Sequence, residues 1–341
     1  MPVRERNGMN GVRLLPLVAI VAFALFFVLC GGGVLILPLT MLLGGVGQGG
    51  QSPQETSYYF GVDPSGKVSI FSRENELYLC DLRTQRVSRW LTLTGQVRDL
   101  EVLSDRWAIV SVQQNPKRAD SDIWLYRLNL QTREMLRITN TSGVWEQRIR
   151  KVSQTKFVFD QFEVKKRLQP LLGWDIYGLH TGTYIGDAGN GSIAALNLDT
   201  GSALYSLEQV LSDRKVLLSF MHTDGKRWLI GLLDKGIEEP NPRVVRRVRL
   251  KIVAHTAVAS QDGRFVYYTQ ENPASQTTEV YRYDTSSHTS HRIAILPGRV
   301  VQLKMGNGDL VMLTDSRNPT VWRVNTLNGS LHRVVHISLV R

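Results

Sequence analysis

Six recurrences of one β-rich unit, turn residues at fixed offsets within it, and a single long apolar run ahead of the first copy predict the fold class. The expectation is an all-β chain: a six-bladed β-propeller preceded by one N-terminal transmembrane helix. From the N-terminus the organisation reads as a short basic tail (1–13), a membrane anchor (14–43), a linker (44–56) and the propeller (57–341).

The anchor rests on length and charge. Leu14 to Leu43 carries no charged residue and exceeds the roughly 20 residues a helix needs to cross a bilayer. Arg4, Arg6 and Arg13 precede it against Glu5, and Gly44 to Gln54 behind it is uncharged. Positive charge stays on the cytoplasmic side, so the tail is expected inside and the propeller outside, in the periplasm or at the cell surface. A cleaved signal peptide would have an apolar region of about 7–15 residues ending in a small-residue site. This run is far longer and has no A-x-A-like site, so a retained anchor is expected, with Gly45 and Gly47 leaving cleavage open. Leu29 before Cys30 is wrong for a lipobox. The Gly31-Gly32-Gly33 cluster would give a helical hairpin arms too short to span, so a single pass is expected. These glycines offer either a smooth face for a partner helix or a flexible outer end of the span.

Cys30 and Cys80 are the only cysteines, one in the apolar run and one in a predicted strand, which excludes an intramolecular disulfide and a cysteine-built metal site. An exported domain without disulfides leans toward a bacterial cell envelope. The net charge is +11, and beyond residue 43 the chain keeps 38 basic against 29 acidic residues. Outside a membrane that balance argues against nucleic acid and for anionic head groups, wall polymers or an acidic protein, or for solubility alone.

The second strand of each unit starts near residues 67, 106, 156, 215, 264 and 309, so successive copies lie 39, 50, 59, 49 and 45 residues apart. Those intervals bracket one propeller blade. The copies read Lys67-Val-Ser-Ile-Phe-Ser, Arg106-Trp-Ala-Ile-Val-Ser, Lys156-Phe-Val-Phe-Asp, Lys215-Val-Leu-Leu-Ser, Arg264-Phe-Val-Tyr-Tyr and Asp309-Leu-Val-Met-Leu. Turns such as Ser65-Gly66, Asp262-Gly263 and Asn307-Gly308 precede them, and Asp-Gly and Asn-Gly accept positive φ cheaply. Third strands are expected at Glu76–Leu82, Asp122–Leu128, Ser192–Leu198, Arg227–Leu232, Glu279–Asp284 and Thr320–Asn325. Val87–Thr92 and Met135–Thr139 read as final strands. The fourth copy is the weak one, because only Ala203 to Ser212 remains for two strands, which leaves five blades or a distorted blade open. The terminal strand, Leu331 to Leu339, is expected beside Thr320–Val324 in the last blade, next to the first.

Asp122-Ile-Trp-Leu-Tyr followed by Leu136-Arg-Ile-Thr-Asn, and Ala259-Ser-Gln-Asp-Gly-Arg-Phe-Val-Tyr-Tyr, resemble the WD-like repeats of TolB-type propellers. In that family a unit ends in Leu-Thr and opens with Ser-Pro-Asp-Gly; here Gln261 stands where the family has proline. The resemblance covers residues 57–341 and implies the fold, not an activity.

No G-x-S-x-G elbow, sialidase Asp-box or phosphate-binding glycine loop is present; the glycines from Gly182 to Gly191 read as a loop. His288, His291, His332 and His336 lack a third ligand and read as solvated, and no cofactor is expected.

The best candidate surface is a loop insertion at 164–191, expected between the second and third strands of the third blade, where a hairpin needs about 2–5 residues. It holds Lys165, Lys166, Arg167, Trp174, Asp175, Tyr177 and Tyr184, with His180 and Asp187. A second candidate is Arg243, Arg247, Arg249 and Lys251 on an outer strand, either an anionic docking face or protection of a sheet edge. Asp99, Glu101 and Glu146, on predicted inner strands, are candidates for the channel. Two functions follow as expectations. The first is a non-enzymatic, membrane-tethered scaffold or accessory subunit that binds protein partners in the cell envelope and the bilayer through 14–43. The second is a propeller that binds or transforms a glycan, peptide or lactone-like ligand in its central channel.

Overall fold

The computed structural model describes residues 58–169, 173–315 and 319–336, all within one compact unit, Pro53–Arg341. The expected tail, anchor and linker, and the chain after His336, lie outside the described residues. Among the described residues no helix is long and apolar enough to cross a membrane.

The described chain is all-β, with twenty-four strands. β1 (Tyr58–Val62), β2 (Val68–Arg73), β3 (Glu76–Asp81) and β4 (Val87–Thr92) form one antiparallel four-stranded sheet in sequence order. Three more such sheets follow the same order: β13 (Ser206–Ser212) to β16 (Val244–Val253), β17 (Ala257–Ala259) to β20 (Thr289–Pro297), and β21 (Arg299–Gly306) to β24 (Leu331–His336). Their middle strands are β14 (Lys215–His222), β15 (Gly225–Leu233), β18 (Phe265–Asn272), β19 (Thr277–Asp284), β22 (Asp309–Asp315) and β23 (Thr320–Asn325).

Between the first sheet and these three lies an eight-stranded sheet. Its first half is β5 (Gln96–Val102), β6 (Trp107–Gln113), β7 (Ile123–Asn129) and β8 (Met135–Arg137). Its second half is β9 (Val144–Lys151), β10 (Lys156–Gln169), β11 (Gly173–Asp187) and β12 (Ile193–Ala195). A single parallel bridge, Ile123 to Trp145, joins the halves.

Each expected second-strand run is a second strand: β2, β6, β10, β14, β18 and β22. These strands are covered on both faces, which is why they read as nearly unbroken apolar runs; β6 is buried from Ala108 to Gln113. Fourth strands have one face in water, and β16 shows it in the sequence Val-Val-Arg-Arg-Val-Arg-Leu-Lys.

The turns carry the predicted chemistry. Gly66, Gly263, Asn307 and Gly308 have positive φ, and the Asp63 carboxylate accepts from the amides of Lys67 at 2.9 Å and Val68 at 2.7 Å.

One expectation fails. Residues 164–191 do not form a loop between a short second strand and a third strand at Ser192–Leu198. β10 and β11 run on as one long hairpin through most of that stretch, and Ile193–Ala195 is the fourth strand. The glycines from Gly182 to Gly186 lie in β11, not in a loop. Gly186 is a strand residue because Phe157 fills the space beside it: a Cβ there would stand 2.4 Å from the ring. With β12 placed at Ile193–Ala195, Ser206–Ser212 is free to be the first strand of the next sheet, and the fourth copy is regular.

Six apolar clusters lie between neighbouring groups of strands. Ile70, Leu77 and Trp90 pack on Leu100, Val110 and Leu128; Leu103, Ile109 and Leu125 pack on Phe157 and Phe159. Similar clusters join β10 to β14, β14 to β18, and β18 to β22. The sixth joins the first and last sheets, with Phe60, Phe71, Tyr78 and Cys80 against Val311, Leu313, Val321 and Val334. The Phe60 amide also donates to Gln302 Oε1 at 2.9 Å, and the Asn307 amide to the Pro64 carbonyl at 3.1 Å. The first and last sheets therefore close on each other by packing, and among the described residues no strand is exchanged between them.

Candidate functional site

Beyond Glu163, which is opposite Val144, β10 has no strand beside it on its β9 side among the described residues, and the Val164 amide bonds to the Gly143 carbonyl. β11 pairs with β12 only at Tyr184, Ile185 and Gly186. The rest of the hairpin stands out from its sheet, with Lys165 opposite Tyr177, Lys166 opposite Ile176 and Arg167 opposite Asp175. Leu168 is 60% exposed, Leu179 52% and Tyr177 41%. Strand alternation puts Glu163, Lys165, Arg167, Asp175, Tyr177 and Leu179 on one face and Phe162, Val164, Lys166, Ile176 and His180 on the other.

The hairpin root is held by charge. Asp160 on β10 is buried and accepts from Arg150 on β9 and, at 2.8 Å, from the Thr183 hydroxyl on β11. His180 Nε2 lies 3.7 Å from its other side and Arg148 Nη1 3.9 Å away. Burial works against the Asp160 carboxylate, but Arg150 and these hydrogen bonds outweigh it and hold its pKa well below the usual range. Arg148 has φ +56° at the bulge where β9 slips against β10, and its guanidinium lies 5.6 Å from the Phe162 ring centre. On the flank, Trp145 Nε1 donates to the Ser121 carbonyl at 3.1 Å, and Lys166 pairs with Asp120, which Arg118 also holds at 2.9 Å.

The predicted residues of this segment separate into two kinds. Lys165 pairs with Glu163 at 2.5 Å, while Arg167, Asp175 and Tyr177 are exposed. Tyr184 belongs to the root: its ring stacks on Phe159 at 5.5 Å and its hydroxyl reaches Gln161 Oε1 at 3.3 Å. Trp174 lies on β11 opposite Leu168.

On β16, Arg247 is a clamp. It donates to the Thr200 carbonyl at 2.5 Å and covers the Tyr205 ring at 5.5 Å. Arg243 closes the turn before the strand through Asp234 at 3.1 Å. Arg249 and Lys251 are exposed on one face, opposite Leu250 and Ile252, which are buried.

The three channel candidates sit on first strands, and their carboxylates are bonded within the protein. Glu101 on β5 pairs with Lys304 on β21. Burial pushes the Glu101 carboxyl up, partly offset by the Lys304 ammonium. Asp99 accepts from the Ile149 amide at 2.7 Å and its own neighbour Leu100 at 2.8 Å. Glu146 on β9 is buried, accepts from Thr139, and is pushed by that burial to a pKa of about 7. Glu208 on β13 belongs with them: it accepts from Ser219 at 2.5 Å and Lys226 at 3.0 Å. Sequence reading missed Asp160, Glu208 and Lys304; the one available signal was a charged residue at alternate positions of short apolar strands. Among the described residues no group of three or more His, Cys, Asp or Glu could hold a metal. Cys80 is fully buried, and that burial raises its thiol to about 11.

No family model matches this chain, and no curated protein matches it. Solved structures do. TolB from Acinetobacter baumannii is similar at 12% identity and a TM-score of 0.52, over 80% of this chain and 62% of that one. The β-propeller domain of the Trilobed protease from Pyrococcus furiosus is 16% identical, with a TM-score of 0.45, over 81% and 80% of the two chains. Oligogalacturonate lyase from Vibrio parahaemolyticus is 14% identical, with a TM-score of 0.43, over 85% and 81%. This chain thus spans under two thirds of the length of TolB. At these identities the likeness is one of fold, and the fold is a TolB-like β-propeller.

Proposed function

We propose that this chain is a membrane-anchored, extracytoplasmic protein-interaction module, a non-enzymatic scaffold or accessory subunit of a cell-envelope complex. Its ring has six blades: the eight-stranded sheet counts as two, since one bridge joins its halves and an apolar cluster separates them. The anchor is Leu14 to Leu43, with the tail inside and the ring outside.

The observation that carries the reading is the β10–β11 hairpin, which leaves its sheet and exposes Leu168, Tyr177 and Leu179 on a root fixed by Asp160. Long exposed tyrosine and leucine side chains on a rigid arm are the material of a docking surface. Arg249 and Lys251 on β16 offer a smaller anionic docking face. A ligand in the channel is the second reading; against it, Asp99 accepts from protein donors at both oxygens, and Glu101 and Glu146 at Oε2.

The test is affinity purification of the tagged full-length chain from its own membranes. Tyr177→Lys/Leu179→Lys should strip the co-purifying proteins, while Glu101→Gln/Lys304→Met should leave them. The opposite pattern, with a small ligand lost from the channel variant, overturns the proposal in favour of the second reading.

A further inference from the structure

The outer strands of this protein carry cations along their free edges. Arg89 lies on β4, Arg137 on β8, Arg246, Arg247, Arg249 and Lys251 on β16, Arg292 on β20 and Arg333 on β24. Charged side chains on an edge block pairing with another chain, and β12, at three residues, is too short to invite it. The free edge of β10 follows the rule with Lys165, Lys166 and Arg167.

The free edge of β11 does not. From Asp175 to Gly182 it reads Asp-Ile-Tyr-Gly-Leu-His-Thr-Gly, with no lysine, arginine or proline, and among the described residues it has no strand beside it. Ile, Tyr, Leu and Thr suit a pleated surface. The root cluster around Asp160 anchors the base of this hairpin through Thr183 and His180 of β11.

We propose that this edge pairs antiparallel with the same edge of a second copy, making a four-stranded sheet β10-β11-β11-β10 across a twofold axis. The inference rests on the interaction reading above and names the partner of that surface. The sequence is self-complementary about Gly178. Tyr177 then faces Leu179 of the second copy on one side of the sheet, and the regular stretch ends at Thr181, the bulged residue where β11 slips against β10. Ile176 faces His180 on the other, and no like charges meet. Gly178 puts no side chain at the axis. The pairing also stops by itself, because the edges left over are the two β10 edges bearing Lys165, Lys166 and Arg167. A heterologous strand would gain the same backbone hydrogen bonds, but nothing in its favour matches this closure.

The test uses the full-length chain in detergent. With Cys30→Ser to leave only buried Cys80, Tyr177→Cys/Leu179→Cys should give a disulfide-linked dimer on oxidation. Light scattering should find the parent chain dimeric. Tyr177→Lys/Leu179→Lys should weaken the dimer by roughly tenfold or more, since four ammonium groups would then face each other. Both side chains are exposed in the single chain, so melting measured at a dilution where the parent is monomeric should be unchanged. Added salt should strengthen the dimer, because each copy carries +11 and screening removes their repulsion. A chain that stays monomeric, or a dimer indifferent to the lysine pair and without the cross-link, overturns the inference. If hairpin-dependent protein partners still co-purify from membranes in that event, the interaction reading stands without it.

Discussion

Lys304 meets Glu101 across 203 residues of sequence, tying β21 of the last sheet to β5 next to the first. Burial works against the Lys304 ammonium, but Glu101 and Asp99 outweigh it and hold its pKa above the ordinary value. Glu101 is itself pushed up by burial, and the pair links β5 to β21, strands of two different sheets.

Removing one partner should be worse than removing both. Glu101→Gln leaves a lone ammonium and should cost about 2–4 kcal/mol of stability; Glu101→Gln/Lys304→Met should recover much of it. Urea denaturation of the four chains of the cycle measures the coupling. Additive single effects would mean the pair does not hold the strands.

The seam between the chain ends can be read with two glycines. Gly66 has φ +65° and a Cβ there would stand 2.9 Å from the Gly306 carbonyl, whereas Gly308 has φ +79° and open space around it. Gly308→Ala should cost only backbone strain, about 1 kcal/mol. Gly66→Ala should cost that plus a clash across the seam, roughly 1–3 kcal/mol more. Equal losses in thermal melts would show that the first and last sheets are not in contact.

Glu146 makes a pH prediction. Its carboxyl has a folded pKa of about 7 because of burial, above that of an unfolded chain. A group with a raised folded pKa contributes stability in full below the unfolded value, and loses it as pH rises through the folded one. Between roughly pH 4.5 and 7 that loss should approach about 3 kcal/mol. Glu146→Gln should flatten this part of the profile and be the more stable chain at pH 8. An unchanged slope would mean Glu146 is hydrated and ionised.

Much of the fold was legible because second strands, covered on both faces, appear as apolar runs such as Trp107-Ala-Ile-Val-Ser-Val. The Asn307-Gly308 turn was legible because its chemistry is local. The hairpin was not. Gly178, Gly182 and Gly186 look like loop residues, yet the Trp145 and Phe157 rings standing over Gly178 and Gly186 make glycine the residue that fits a strand there. Nor could sequence pair Lys304 with Glu101 or gather Arg150, His180 and Thr183 around Asp160, since those contacts exist only once separate strands are side by side.

The proposed orientation has its own measurement. A protease site placed at Gly47–Gly50 should be cut from outside sealed cells, leaving an N-terminal stub in the membrane. Cleavage only after the membrane is opened would reverse the topology.

Amide hydrogen exchange over Asp175–Gly182, in the full-length protein extracted in its assembled state and again after dilution, tests the role of the hairpin most directly. If this edge is the docking surface, alternate amides that point away from β10 should exchange slowly in the assembly and quickly once it dissociates. Fast exchange there in both states, with Tyr184–Gly186 slow throughout, would contradict the account.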